Sequence, residues 1–224
     1  MMRRLIALAI AMLAAPGLFD NARAQGQFRP PLVVRENATA RDRPAPSLVV
    51  VGIAADLPIW KRVTLGTFKS ANAIREALDR EHVHIGDSAN EALGRPAFAF
   101  TSAKVELDLV VVAVTDLGFG AAGAPRADIY ARAAQLGLEL CPAEVAPYLR
   151  LQYLQQPVGE ILQIAMQPVA TYGGDPVDLA VADGGEGLLL VGGEAFSDRV
   201  ASGAVRFVFV RPRRAIVSTR PDLR

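Results

Sequence analysis

The chain is poor in residues that staple, ligate or catalyse: one cysteine, Cys141, and two histidines, His82 and His84, in 224 residues. A lone cysteine excludes an internal disulfide, so the fold must rest on its apolar core. Beyond the N-terminus no run of about 18 apolar residues occurs, which leaves nothing to form a transmembrane helix in the processed chain. No GxxxxGK[ST] sequence occurs, so a phosphate-binding loop of the ATPase kind is excluded. Neither charge dominates, with 24 Lys and Arg against 23 Asp and Glu. That balance lacks the basic face that nucleic acid would require. Nothing in the composition calls for a cofactor.

What is present starts with an export pattern. Arg3 and Arg4 precede an apolar run over residues 5–15, and Ala22-Arg23-Ala24 supplies a small-x-small cleavage site. Residues 1–24 therefore read as a signal peptide, too short in its apolar part to span a bilayer. Its removal leaves a net charge of about −1, and the expected destination is periplasmic or secreted. Residues 25–47 interleave Pro30, Pro31, Pro44 and Pro46 with Arg29, Arg35, Arg41 and Arg43, the composition of a disordered linker. Residues 48–211 read as a single domain, and residues 212–224 as a flexible basic tail.

Within the domain, strand-like runs are expected at 48–53, more weakly at 60–65, and at 97–100. Ser70 reads as the N-cap of a helix carrying Ile74, Ala77 and Leu78 on one face. Ser88 and Glu91 have capping-box spacing, with Gly94 as the stop. Residues 104–115 form the strongest strand. It starts with Val105, Leu107 and Leu109 inward and Glu106 and Asp108 outward, then turns apolar at every position, as a central strand does. A Gly-rich loop follows at 116–125, then a helix over 126–136 ended by Gly137. Cys141 suits an N-cap with Pro142 at the first helical position, and Pro147 makes 142–152 a kinked or two-part helix, or a helix followed by a strand, since Leu149, Leu151 and Tyr153 also alternate. A strand over 160–169 beside the central one, a hairpin about residues 183–187 and a last strand at 204–210 complete the chain. The fold class this implies is α+β: a mixed or mostly antiparallel sheet with two to four helices on one face.

The candidate chemistry is sparse. Gly118-x-Gly120-x-x-Gly123 follows a strand and precedes a helix, the setting of a dinucleotide fingerprint, but no second βαβ unit follows and a flexible loop is the plainer reading. His82 and His84, completed by Asp87 or Cys141, could hold a metal, although a solvated pair is simpler. Cys141 with a histidine could be a nucleophile and base, although a buried structural thiol is the commoner role. Glu144 and Glu160, flanking Arg150 to Tyr153, could act as an acid–base pair on a glycan if their carboxylates share an open cleft about 5–10 Å apart. The polar residues Arg150, Gln152 and Tyr153, with Cys141, are the ligand or interaction candidates.

The stretches LGTFKS (65–70), IGDSANEAL (85–93), VELDLVVVAVTDLGF (105–119), ADIYARAAQLGLELCPAEVAPYLRLQY (127–153), QPVGEILQIAMQPV (156–169) and RFVFVR (206–211) resemble a family of uncharacterised bacterial proteins. The resemblance implies that this region is one unit. It brings no activity and no functional residues, and its pattern does not ask for histidine at 82 or 84. The expectation is an exported, non-catalytic domain that binds a small ligand or another envelope protein. The alternative is a hydrolase of a cell-envelope polymer using Glu144 and Glu160.

Overall fold

The computed structural model describes residues 54–213. The expected signal peptide and linker, the run at 48–53 and the chain after Arg213 lie outside the described residues.

A 3₁₀ turn, Ala54–Asp56, is followed by β1 (Lys61–Leu65), α1 (Ala71–Arg80), β2 (His84–Ile85), α2 (Asp87–Leu93) and β3 (Val105–Ala113). A second 3₁₀ turn, Val114–Leu117, leads to β4 (Ala124–Pro125), α3 (Arg126–Gln135) and α4 (Val145–Gln152). Strands fill the rest: β5 (Ile161–Ile164), β6 (Val169–Ala170), β7 (Pro176–Asp183), β8 (Leu188–Glu194), β9 (Val200–Ala201) and β10 (Arg206–Arg211). The main sheet runs β1-β3-β10-β5-β7-β8-β2, with β6 also on β7, and β4 pairs with β9 separately. Parallel pairings at β10/β5 and β2/β8 sit among antiparallel ones, so the sheet is mixed and the fold α+β as expected. No helix among the described residues is long and apolar enough to cross a membrane.

The unbroken apolar runs in β3 and β10 have a shared cause. Leu109 and Val111 pair in register with Val210 and Val208, and Val110 and Val112 with Phe209 and Phe207. Because side chains alternate across a strand, the first set points one way and the second the other. The first joins the core built with α1, α2 and α4, including Ile74, Leu78, Leu93, Tyr148 and Leu149. The second meets Ile129, Ala133 and Leu136 of the α3 segment. The helices therefore cover both faces of the sheet, which corrects the expectation of one covered face.

Local signals held where the chain itself supplies the partner. Ser70 caps α1, its hydroxyl accepting from the Ala73 N–H at 3.3 Å. The β7–β8 hairpin closes with Asp183 opposite Leu188. Gly137, at φ 84°, follows α3 in the left-handed conformation that glycine tolerates.

Elsewhere tertiary contacts overrode them. Helix α2 is capped at Gly86, not Ser88: the Gly86 N–H is fixed to the Leu190 carbonyl at 2.9 Å, and Glu91 accepts from the Tyr172 backbone instead of closing a capping box. Residues 97–100 have no strand partner among the described residues and run as turn and coil around the Phe98–Phe100 ring pair. The 160–169 run breaks in two, and β5 lies between β10 and β7, not beside β3. In β3, Val105 is exposed and Asp108 is buried. The reversal follows from cations on either side: Arg62 bonds Asp108 at 2.7 Å and Arg213 at 3.4 Å. The Arg62 hydrogen bond holds the Asp108 carboxyl below the usual carboxylate range against the opposing effect of burial. Arg213 also reaches Glu106 at 3.3 Å, so the fold uses at least two residues past the expected boundary at 211.

Candidate functional site

Helix α4 is the frame of the site, and Pro147 fixes where it begins. With Val145 as the first helical residue, Pro147 is third, inside the first turn, where no intrahelical N–H bond is lost. Residues 142–146 lead in by a tight turn, Val145 N–H to Pro142 O at 2.9 Å and Ala146 N–H to Ala143 O at 3.2 Å. Glu144, not Cys141, is the N-cap residue. Cys141 instead forms a parallel bridge with Met166, donates its N–H to Ala165 O at 2.6 Å, and points its thiol at Val208 O, 3.4 Å away. Burial pushes that thiol far above its ordinary range, which removes the thiolate a nucleophile needs.

The other singled-out residues work as connectors. Gln152 bonds both backbone groups of Thr64 on β1. The Tyr153 hydroxyl donates to Glu160 Oε2 at 2.8 Å, and Glu160 Oε1 accepts from Arg206 at 2.7 Å. Arg150 is fully buried. Its guanidinium donates to Gln156 Oε1, to the Tyr153 carbonyl and to Ala182 O (3.2 Å), tying the end of α4 to β7. Burial lowers its pKa.

Glu144 and Glu160 do not meet. Glu144 precedes α4, Glu160 is held by Tyr153 just after it, and eight residues of helix between them rise about 12 Å. Glu144 is 1% exposed, and both its oxygens accept from the Thr101 N–H (3.1 and 3.0 Å), with the Thr101 hydroxyl on Oε1.

A groove does open at the start of the block. It has a volume of about 610 Å³ and is formed by three segments, 97–101, 140–144 and 167–169. Apolar residues, Ala97, Ala99, Phe100, Pro142 and Ala143 among them, make most of its wall, with Thr101, Glu144 and Gln167 as the polar groups. Thr101 and Gln167 went unread in the sequence. Each is one ordinary polar residue in a coil, brought to Glu144 only by folding.

The remaining motifs have structural uses. Gly118, at φ 95°, ends the 3₁₀ turn. A Cβ on Gly123 would lie 1.7 Å from Ala201 O, so that glycine permits contact with β9. The first N–H groups of α3 already bond Arg199 O and Ser197 O, where a dinucleotide phosphate would have to sit. His82 occupies the left-handed position after α1 (φ 55°), its N–H on Asp79 O and that of Val83 on Leu78 O. His82 and His84 line a cavity of about 570 Å³ beside the 184–189 turn. Among the described residues, no group of three or more His, Cys, Asp or Glu could hold a metal ion. Cys141 lies against β10, four strands along the sheet from β2 and His84, and its thiol points at Val208 O instead of at a histidine.

Sequence reading also missed a buried ion pair, Arg126 of α3 with Asp178 of β7, to which Gln163 donates at 2.6 Å. The signal was there: Asp178 interrupts an apolar strand, VDLAVA, as a residue with a dedicated partner does. Comparison of the chain with protein-family models, with curated proteins and with solved structures finds no match.

Proposed function

We propose that the protein is an exported, non-catalytic binding domain of the cell envelope, and that its ligand seats in the groove at the start of α4. The observation that carries the reading is the groove itself. An open, mostly apolar cleft with a few convergent polar groups is the usual form of a small-molecule site. Export rests on the leader pattern of residues 1–24. The absence of catalysis rests on geometry: the Cys141 thiol is buried against a carbonyl, and Glu144 and Glu160 are committed to different partners at opposite ends of α4. The hydrolase alternative needs those carboxylates in one cleft, and no observation favours it.

A fragment library screened by backbone amide shifts tests the reading. Shifts should cluster on residues 97–101, 140–144 and 167–169, and Ala99→Trp, at an exposed position on the wall, should erase the cluster without unfolding the domain. Fragments that gather elsewhere, or nowhere, would sink it.

A further inference from the structure

We infer that the groove selects a ligand bearing a primary ammonium group, seated between the Glu144 carboxylate and the Phe100 ring; this rests on the reading of the groove as the ligand site. Among the described residues Glu144 is the one charged residue on the groove wall, and it is almost fully buried. Its hydrogen-bond partners are the N–H and hydroxyl of Thr101, both neutral, and among the described residues no basic side chain pairs with it. Buried carboxylates ordinarily have a cationic partner or a full set of donors. A carboxylate offers about four acceptor positions, and Thr101 does not fill them. The N-terminus of α4 offsets roughly half a charge. What is left is a negative group at the wall of a cavity lined largely by apolar carbon, where attraction to a cation is weakly screened.

The form of the cation follows from the same geometry. Both oxygens already share the Thr101 N–H, and Oε1 also takes the hydroxyl. A guanidinium would need both oxygens free for its two parallel bonds, whereas an ammonium is a compact donor that can use one open position. Phe100 is only half-buried and lines the same groove, so its ring face can take part in a cation–π contact. A metal ion is a poor fit because no second or third acidic, histidine or cysteine ligand converges there among the described residues. A volume of about 610 Å³ leaves room for an apolar tail against Ala97, Ala99 and Val169.

The test titrates the ¹⁵N-labelled full chain with hexylammonium chloride, uncharged 1-hexanol and Nα-acetyl-lysine amide at pH 7 and low salt. Hexylammonium should give saturable shifts at Thr101, Ala143 and Gln167, with hexanol about tenfold weaker, the margin expected of a charge-assisted bond over a neutral one. Glu144→Gln keeps an acceptor for Thr101 and should bring the two probes level. Phe100→Leu keeps an apolar wall and should weaken hexylammonium about threefold while leaving hexanol alone, so the inference stays testable if the Glu144 variant fails to fold. If the acetyl-lysine amide binds tighter than hexylammonium, the ammonium belongs to a peptide lysine; the reverse order assigns it to a small amine. Equal binding of hexylammonium and hexanol overturns the cation inference and leaves the groove as a ligand site. No saturable shift in the groove with any probe sinks both.

Discussion

The side-chain amide of Gln152 closes on both backbone groups of Thr64, accepting from its N–H at 3.2 Å and donating to its carbonyl at 3.1 Å. Thr64 lies on β1, which ends the main sheet among the described residues. A side chain from α4 thus occupies the place a neighbouring strand would take, and the exposed edge is blocked where another chain could pair. Gln152→Ala should free these groups, cost about 0.5–1.5 kcal/mol in a urea titration, and raise self-association measured by sedimentation velocity. Gln152→Glu keeps an acceptor, loses the donor and sets a carboxylate against the Thr64 carbonyl, so it should destabilise at least as much. A Gln152→Ala protein with unchanged midpoint and sedimentation would refute the edge-blocking role.

Arg150 shows how a residue that looks like a ligand contact can be part of the fold. It sits between leucines on a short helix, and sequence alone leaves its charge open to solvent, ligand or core. The structure buries it completely, with three acceptors from the 153–156 turn and β7. Arg150→Met keeps the packing volume and strands all three acceptors, which should cost about 3 kcal/mol or more. Arg150→Lys should fall between, since a compact ammonium cannot span a fork's partners. Urea midpoints would decide, and a loss below about 1 kcal/mol for Arg150→Met would show that the guanidinium is not a hub.

How much of this was legible depended on how far each residue's partner lies along the chain. The Ser70 cap, the hairpin about residues 183–187 and the apolar strands were readable because their causes are local or periodic. The 204–210 run reads as a strand from its alternation, but its burial on both faces, and which helix covers which face, depend on register with β3. The expected start of the helix at Pro142, with a kink at Pro147, gives way to a single helix that starts at Val145. A helix from Pro142 would have put Pro147 in its interior, where it breaks a bond, so the later proline marks the true first turn. Asp108 was assigned outward because its cations, Arg62 and Arg213, arrive from 46 and 105 residues away. The groove left no local trace at all: its three segments span residues 97 to 169, and Glu144 meets Thr101 across 43 residues.

Tyr153 and Trp60 supply a pH readout of this end of α4. Their rings meet edge to face with centroids 5.1 Å apart, and Trp60 is the only tryptophan in the chain. The Tyr153 phenol is pushed up to about 12, first by burial and then by its hydrogen bond to Glu160 and that carboxylate's charge. Tyrosine ordinarily ionises near 10, so the folded state favours the protonated phenol. The stabilisation this brings is fully present below about pH 10, and it is lost as pH rises through about 12. Trp60 emission should therefore hold through about pH 10, where tyrosine ordinarily ionises, and fall only as Tyr153 ionises beside it. Tyr153→Phe should remove that late quench. Glu160→Gln removes the charge that opposes ionisation while keeping an acceptor for the phenol, and should move the quench to lower pH, with burial still holding it above about 10. A quench already complete near pH 10 in the unmodified protein would show that Tyr153 is neither buried nor bonded as described.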